Sequence, residues 1–368
     1  MKIIISIILL VSLIISCENK LEFYKNSVEK ENIYNIFIKS DSLTLDYPDS
    51  LFPKNISDLT FFKDHLYVLS FGANIKYPLI KFTTTGKYVK TISRHGMGPM
   101  EFQYNPYRIC SNNKYLLTFS ESFNSLFLIE NDKIVKKTSI PPDSCLVSSV
   151  AFLDDNKILC TSKKWTYKIN VPKKHIYILN DSLKIIDSFQ DFTKDADLLS
   201  YASFAFIRCI SRNGAKIATH YGYPPDINIF SYKNKKLKMD TVINNIPFTD
   251  FKYVANAEKL RKKYDDQKIS PPEFLRSFSR LDFVYLDKNY ILGKYYTFYN
   301  KEQVLDVHFF ILRNGKLVID EVFENRLSLA IRQNDMGLFL PIFYNDDNEI
   351  LKVKIYFLTL NRKYLEKL

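Results

Sequence analysis

Leu59-Thr60-Phe61-Phe62, then Lys63-Asp64-His65, then Leu66-Tyr67-Val68-Leu69-Ser70 make an apolar run, a short polar turn and a second apolar run. Apolar runs of this length around a turn read as a β-hairpin. The pattern returns at Arg108–Ser120, Ser149–Ser162, Arg208–His220, Phe283–Tyr295 and Ser328–Ile342. Each hairpin is followed by further apolar runs around turns such as Arg313-Asn314-Gly315. A unit therefore holds four strands in up-and-down order. Second strands begin near Leu66, Tyr115, Ile158, Ile217, Tyr290 and Leu338, at spacings of 49, 43, 59, 73 and 48 residues. Six such units predict an all-β fold over residues 33–368, a six-bladed β-propeller with four-stranded antiparallel blades.

Two features fall outside the repeat. Ile33–Ile38 and Leu43–Leu45 read as two strands ahead of the first hairpin, placed to complete the last blade and close the ring. The sixth unit itself shows Leu351–Leu358 and a short Tyr364–Leu365 as its outer strands. The longest spacing holds an insertion at about residues 251–280, between units four and five. Tyr253, Val254, Ala257, Leu260 and Tyr264 follow helical spacing. Ser270-Pro271-Pro272-Glu273 then predicts a capping box with proline in the first turn of a second helix.

Composition agrees with a sheet protein. Tyr (25) and Phe (29) are abundant, and aromatic residues favour the pleated surface. Only 9 glycines are present, roughly a third of the usual ~7%, so the turns must draw on Asn and Asp. The net charge of +12 comes from lysine pairs such as Lys136-Lys137 and Lys235-Lys236, scattered near turns rather than gathered in a stripe. That pattern argues against nucleic acid as a partner.

Residues 1–16 read as a targeting segment: Lys2, then an apolar stretch from Ile3 to Ile15. The apolar run is short for a spanning helix. Ile14-Ile15-Ser16-Cys17 resembles a bacterial lipobox, which implies lipidation of Cys17 and attachment of the mature chain to a membrane, with residues 17–32 as a tether. The expected location is the cell envelope, as an outer-membrane lipoprotein facing either the periplasm or the exterior. Cys110, Cys145, Cys160 and Cys209 show no Cys-x-x-Cys spacing and no histidine at metal-ligand distance, so no metal and no cofactor are expected.

The segment Phe82-Thr-Thr-Thr-Gly-Lys-Tyr-Val-Lys-Thr-Ile92 followed by Ser93-Arg-His-Gly-Met-Gly-Pro-Met-Glu-Phe102 resembles a motif of the six-bladed β-propeller lipoproteins of Bacteroidetes, a TolB-like and NHL-like group. The match rests on Gly86, Lys87, Gly96, Gly98, Pro99, Glu101 and Phe102, with Met100 where the group carries glycine. The resemblance implies the propeller and the exported location, and no reaction. From the residues themselves, Gly96, Gly98, Pro99, Glu101 and Phe102 read as a shaped crossover between the first two blades. The Gly-x-Gly opens no helix and is not a nucleotide loop.

The five histidines form no His-x-x-x-His or His-Glu-x-x-His arrangement, and no Gly-x-Ser-x-Gly elbow is present. Two classes of function stand. One is a binding or scaffold module for a glycan, a peptide or a partner protein. The other is a lyase or hydrolase with a His or Tyr acid–base; the missing constellation favours the first. Strand order sends inter-blade connections and second-to-third loops to one face. Arg94, His95, Tyr104, Trp165, His220, Tyr221 and Tyr223 belong to that face and form the expected ligand site, overhung by the insertion.

Overall fold

The computed structural model of the chain describes residues 33–48, 51, 55–71, 75–103, 106–120, 124–140, 147–162, 174–199, 210–299, 304–323, 331–334, 337–345 and 351–367. Residues 1–32, with the targeting segment, Cys17 and the tether, lie outside them, as do Tyr104, Trp165, Cys145 and Cys209.

Six four-stranded sheets form the blades. Blade one is β2 (Ile56–Phe62), β3 (His65–Ser70), β4 (Leu79–Thr83) and β5 (Tyr88–Ser93). Blade two is β6 (Arg108–Ser111), β7 (Leu116–Ser120), β8 (Ser125–Glu130) and β9 (Lys133–Ser139). Blade three is β10 (Val147–Phe152), β11 (Lys157–Ser162), β12 (Lys174–Asn180) and β13 (Ile185–Asp191). Blade four is β14 (Ile210–Asn213), β15 (Lys216–His220), β16 (Ile227–Lys233) and β17 (Lys236–Ile243). Blade five is β18 (Arg280–Asp287), β19 (Tyr290–Tyr299), β20 (Val304–Arg313) and β21 (Lys316–Phe323). Every pairing inside a blade is antiparallel; in the first hairpin Leu59 faces Val68 and Phe62 faces His65.

Blade six joins the two ends of the described chain. It runs from β22 (Arg332–Gln333) through β23 (Leu338–Asn345) and β24 (Leu351–Leu360) to β1 (Phe37–Leu45), which is its outer strand. The N-terminal segment therefore closes the ring. It does so as one strand with a register shift between Lys39 and Asp41, preceded by a single helical turn, α1 (Ile33–Ile36), and not as two strands. Tyr364–Leu365 is likewise no strand. Asn361 caps a turn of helix there, α5 (Arg362–Leu365), and donates its backbone N–H to the Ile36 carbonyl at 2.7 Å. The outer edge is already taken by β1, so residues past Leu360 have no sheet to join. Among the described residues the inner strand of this blade is Arg332–Gln333, which the sequence placed in the turn after the Ser328–Ile331 run; Ser328–Ala330 lie outside the described residues.

No single core fills the molecule. Each hydrophobic cluster occupies the seam between neighbouring blades. Leu59 and Val68 of blade one meet Phe339 and Val353 of blade six, and Tyr67 and Leu69 meet Ile109 and Phe127 of blade two. Cys110 and Cys160 are buried apolar thiols in the seam between blades two and three. Outer strands have a neighbour in the sheet on one side only and are more exposed than inner ones; β17 is exposed along most of its length. Where seams are tight, side chains vanish. A Cβ on Gly293 would lie 2.0 Å from the Phe310 ring.

Tight turns use non-glycine residues with positive φ, among them Lys63 and Asp64, Asn131 and Asp132, and Asn234 and Lys235. Several turns also staple blades together. Asp132, at the β8–β9 turn, accepts from Tyr67 at 2.6 Å and from Lys81 at 2.8 Å across the seam to blade one, with Lys90 at 2.9 Å. Burial alone would raise the Asp132 carboxyl, but hydrogen bonds from Lys81, Lys90 and Tyr67 outweigh it and hold it down at about 2.

The insertion forms α3 (Ala257–Asp265) and α4 (Pro271–Arg276), and a further short helix, α2 (Lys194–Leu199), connects blade three to blade four. Ser270 accepts from the Glu273 backbone while Glu273 reaches back to the Ser270 N–H at 2.7 Å, completing the capping box. Phe274 of α4 and Phe278 just past its end are buried against blades four and five.

Candidate functional site: a cleft under the helical insertion

Four connections on one face meet beside blade four: β13 to α2, β15 to β16, the segment after β17, and the start of the insertion. They enclose an open cavity of about 660 Å³, bordered by Asp195, Tyr223, Asp226, Asn244, Asn245 and Tyr253 among others. That volume falls within the ~300–1,000 Å³ of small-molecule sites.

The walls are fixed by backbone hydrogen bonds. Tyr223 is 3% exposed; its ring stacks on Phe251 and meets Phe278 edge-on, and its hydroxyl accepts from the Val254 N–H at 2.9 Å. Tyr253 is half exposed and donates its hydroxyl to the Ile246 carbonyl at 3.1 Å, tying the insertion to the segment after β17. Helix α2 is held to α3 by the Lys194–Glu258 ion pair at 2.9 Å and by Arg261, which donates to the Leu198 carbonyl at 3.1 Å.

The polar groups lining this space are the carboxylates of Asp195 and Asp226, the amides of Asn244 and Asn245, the Thr193 hydroxyl and the Lys194 ammonium that pairs with Glu258. Burial raises the Asp226 carboxyl above its usual range, and the charge of Asp195 raises it further. Each carboxylate presents two acceptor oxygens, and Asn244 and Asn245 each add one acceptor and two donor hydrogens. Tyr253 adds an exposed aromatic plane.

The residues expected at the ligand face from sequence separate into groups. Only Tyr223 borders the cleft, as part of its wall. His220 is fully buried, and its Nδ1 accepts from the Gly222 N–H at 3.1 Å. Tyr221 is 4% exposed, with its ring 4.4 Å from that of His175 and 5.7 Å from that of Phe192. These two are packing groups in the seam between blades three and four, and neither presents a surface to solvent. Arg94 and His95 lie in the first crossover, away from the cleft. Tyr104 and Trp165 fall outside the described residues.

The crossover folds upon itself. Gly98 N–H donates to Glu101 Oε2 at 2.8 Å, Arg94 pairs with the other oxygen, and Gly96 N–H donates to the Phe102 carbonyl at 3.0 Å. The Gly98 amide first, then Arg94, holds the Glu101 carboxyl below its usual range. A Cβ on Gly96 would lie 2.0 Å from Glu101 Oε2, so a side chain there would push the Glu101 carboxylate from its place. Phe102 is fully buried against Phe127.

Sequence reasoning did not find Asp195, Asp226, Asn244 or Asn245. The available signals were slight: the Tyr-Pro-Pro-Asp run at 223–226, which breaks strand pairing, and the Asn pair that ends β17.

No family model matches the chain, and no curated protein matches its sequence. Among solved structures, the chain is similar to a protein of Bacteroides fragilis NCTC 9343 provisionally described as exported, at 14% identity and a TM-score of 0.61. The match covers 90% of this chain and 97% of the other. Weaker similarity reaches a protein of Bacteroides uniformis ATCC 8492 provisionally named a 6-phosphogluconolactonase, at 12% identity and a TM-score of 0.46, covering 83% and 88% of the two chains. The virginiamycin B lyase of Staphylococcus aureus follows at 11% identity and a TM-score of 0.44, covering 88% and 100%. At these identities the likeness is one of fold alone.

Proposed function

We propose that the chain is an exported, lipid-anchored binding module, and that the cleft over blade four takes a sugar unit of a glycan. The observation that carries this reading is the cavity itself: carboxylates, amides, the Thr193 hydroxyl and the Lys194 ammonium line it beside the half-exposed ring of Tyr253. Vicinal hydroxyls need paired acceptors and donors, and the C–H face of a pyranose needs an apolar plane. A peptide or partner protein would use the same face less completely, since Tyr253 is the one large exposed ring among its described residues. Isothermal titration against a glycan panel tests the reading. Tyr253→Ala and Asp226→Asn should each weaken the best glycan about tenfold, the loss of one ~1.4 kcal/mol contact, with the melting temperature preserved. A panel with no binder, or binding indifferent to both changes, defeats it.

A hydrolase or lyase is the second reading, favoured by the raised Asp226 carboxyl beside Asp195, which suits a proton donor. Products released from the bound glycan, detected by mass spectrometry, would select it. The anchor rests on Ser16-Cys17 after an apolar run. A labelled fatty acid should mark the wild type and leave Cys17→Ala unmarked; equal labelling of both removes the anchor.

A further inference from the structure

In each of blades one to five, both tight turns carry a lysine, within the turn or as the first residue after it. The turns between first and second strands hold Lys63, Lys114, Lys157, Lys216 and Lys288. Those between third and fourth strands hold Lys87, Lys133, Lys184, Lys235 and Lys316. All are exposed except Lys157, which is partly buried and donates to the Lys235 carbonyl at 2.9 Å. Up-and-down order sends every one of these turns to the side opposite the loop face. Lysines scattered through the sequence thus share one end of the ring. The same turns hold five carboxylates, those of Asp64, Asp132, Asp154, Asp155 and Asp181. Asp132 is held by Tyr67, Lys81 and Lys90, and Asp154 accepts from the Tyr232 hydroxyl. The segments that join strands on the loop face are balanced by contrast, with as many Asp and Glu as Lys and Arg.

The described chain also enters the ring from the turn face. Phe37, the first residue of β1, pairs with Leu360, the last of β24, at that end of blade six. Helix α5 follows there, and Arg362 donates to Asp287 Oδ1, where β18 turns into β19, at 2.6 Å. Arg362, Lys363 and Lys367 are exposed and add to the same charge. Whatever precedes Ile33, Cys17 included, is joined to the ring on this side.

We propose that the turn face rests on an anionic lipid surface, its lysines against the headgroup phosphates and the cleft turned to the opposite side. Exposed ammonium groups are drawn to anionic headgroups over a range set by the Debye length. The lysines stand around the axis, two in each of five blades, so a planar sheet of headgroups meets them together, whereas a nucleic-acid duplex would meet one arc. The proposal deepens the lipid-anchored reading and rests on it only for the approach of Cys17; the charge asymmetry stands without it.

The test uses the chain from residue 17 carrying Cys17→Ala, which holds every described strand of the ring and no lipid. Its affinity for vesicles of equal parts phosphatidylglycerol and phosphatidylcholine should exceed that for phosphatidylcholine alone at least tenfold, and should fall away in high salt. Lys63→Gln, Lys114→Gln and Lys288→Gln together should weaken it at least tenfold. The same change at Lys259, Lys262 and Lys263 of α3 should have little effect. Acetylation of lysines on the vesicle-bound chain, read by mass spectrometry, needs no further variant; protection is expected at the turn lysines and not in α3. No preference for anionic vesicles, equal loss in the two triple variants, protection in α3 instead, or tighter binding to duplex DNA at equal phosphate would overturn the proposal. Fatty-acid labelling of Cys17 has no bearing on these outcomes, so the anchor and the face fail separately.

Discussion

At the scale of single residues, burial decides what the chemically active groups can do. His175 is 1% exposed, and its Nδ1 lies 3.1 Å from the Ser162 carbonyl. Desolvation pushes its imidazole down to about 3, and the neighbouring His220 adds a smaller push in the same direction. Because the folded pKa lies below the unfolded ~6.5, the unfolded chain takes up the proton first as pH falls. The stability that His175 contributes is complete above ~6.5 and is lost as pH drops toward 3, at up to ~1.4 kcal/mol per pH unit. Denaturant midpoints between pH 6.5 and 4.5 should fall more steeply for the wild type than for His175→Gln. Parallel slopes would show that another group carries the acid sensitivity. Tyr221 shares this burial. The aromatic character that marked it in the sequence as a binding group is the same property that packs it into a seam, and local sequence does not separate the two uses.

At the scale of elements, the insertion shows how far a short motif reaches. Helix α4 has only six residues, too few to hold itself together in water, so its start depends on Ser270 and Glu273 and its body on Phe274, with Phe278 just past its end. Ser270→Ala should cost about 1 kcal/mol by denaturant unfolding. If the midpoint does not move, α4 is held by packing alone. The capping box, the turns and the second strands were legible because each is written in contiguous residues. Short elements with no such contiguous signal were not. The inner strand Arg332–Gln333, the helix Lys194–Leu199 and the turn Arg362–Leu365 are shorter than the period that would reveal them. The assignment of β1 as one bulged strand also needed its partner, since the register shift at Lys39 and Asp41 exists only against β24.

At the scale of the whole molecule, six blades divide the apolar interior into six seams, and the candidate sites arise where ring closure brings distant units together. Lys63, Lys114 and Lys288 sit in separate repeats, each an unremarked charge in a turn; only the closed ring sets them on one face. The cleft likewise draws on connections from blades three and four and on the insertion, so no single stretch of sequence announces it. The closing strand carries a consequence in time. Ser40 and its hydrogen-bond acceptor Phe357 are 317 positions apart, and a chain made from its N-terminus exposes β1 long before β24 exists. Blades one to five can assemble from local hairpins, whereas the last blade waits until β24 is at hand. Throughout that interval β1 is an open edge, and two nascent chains held close together could exchange it, each completing the other's ring.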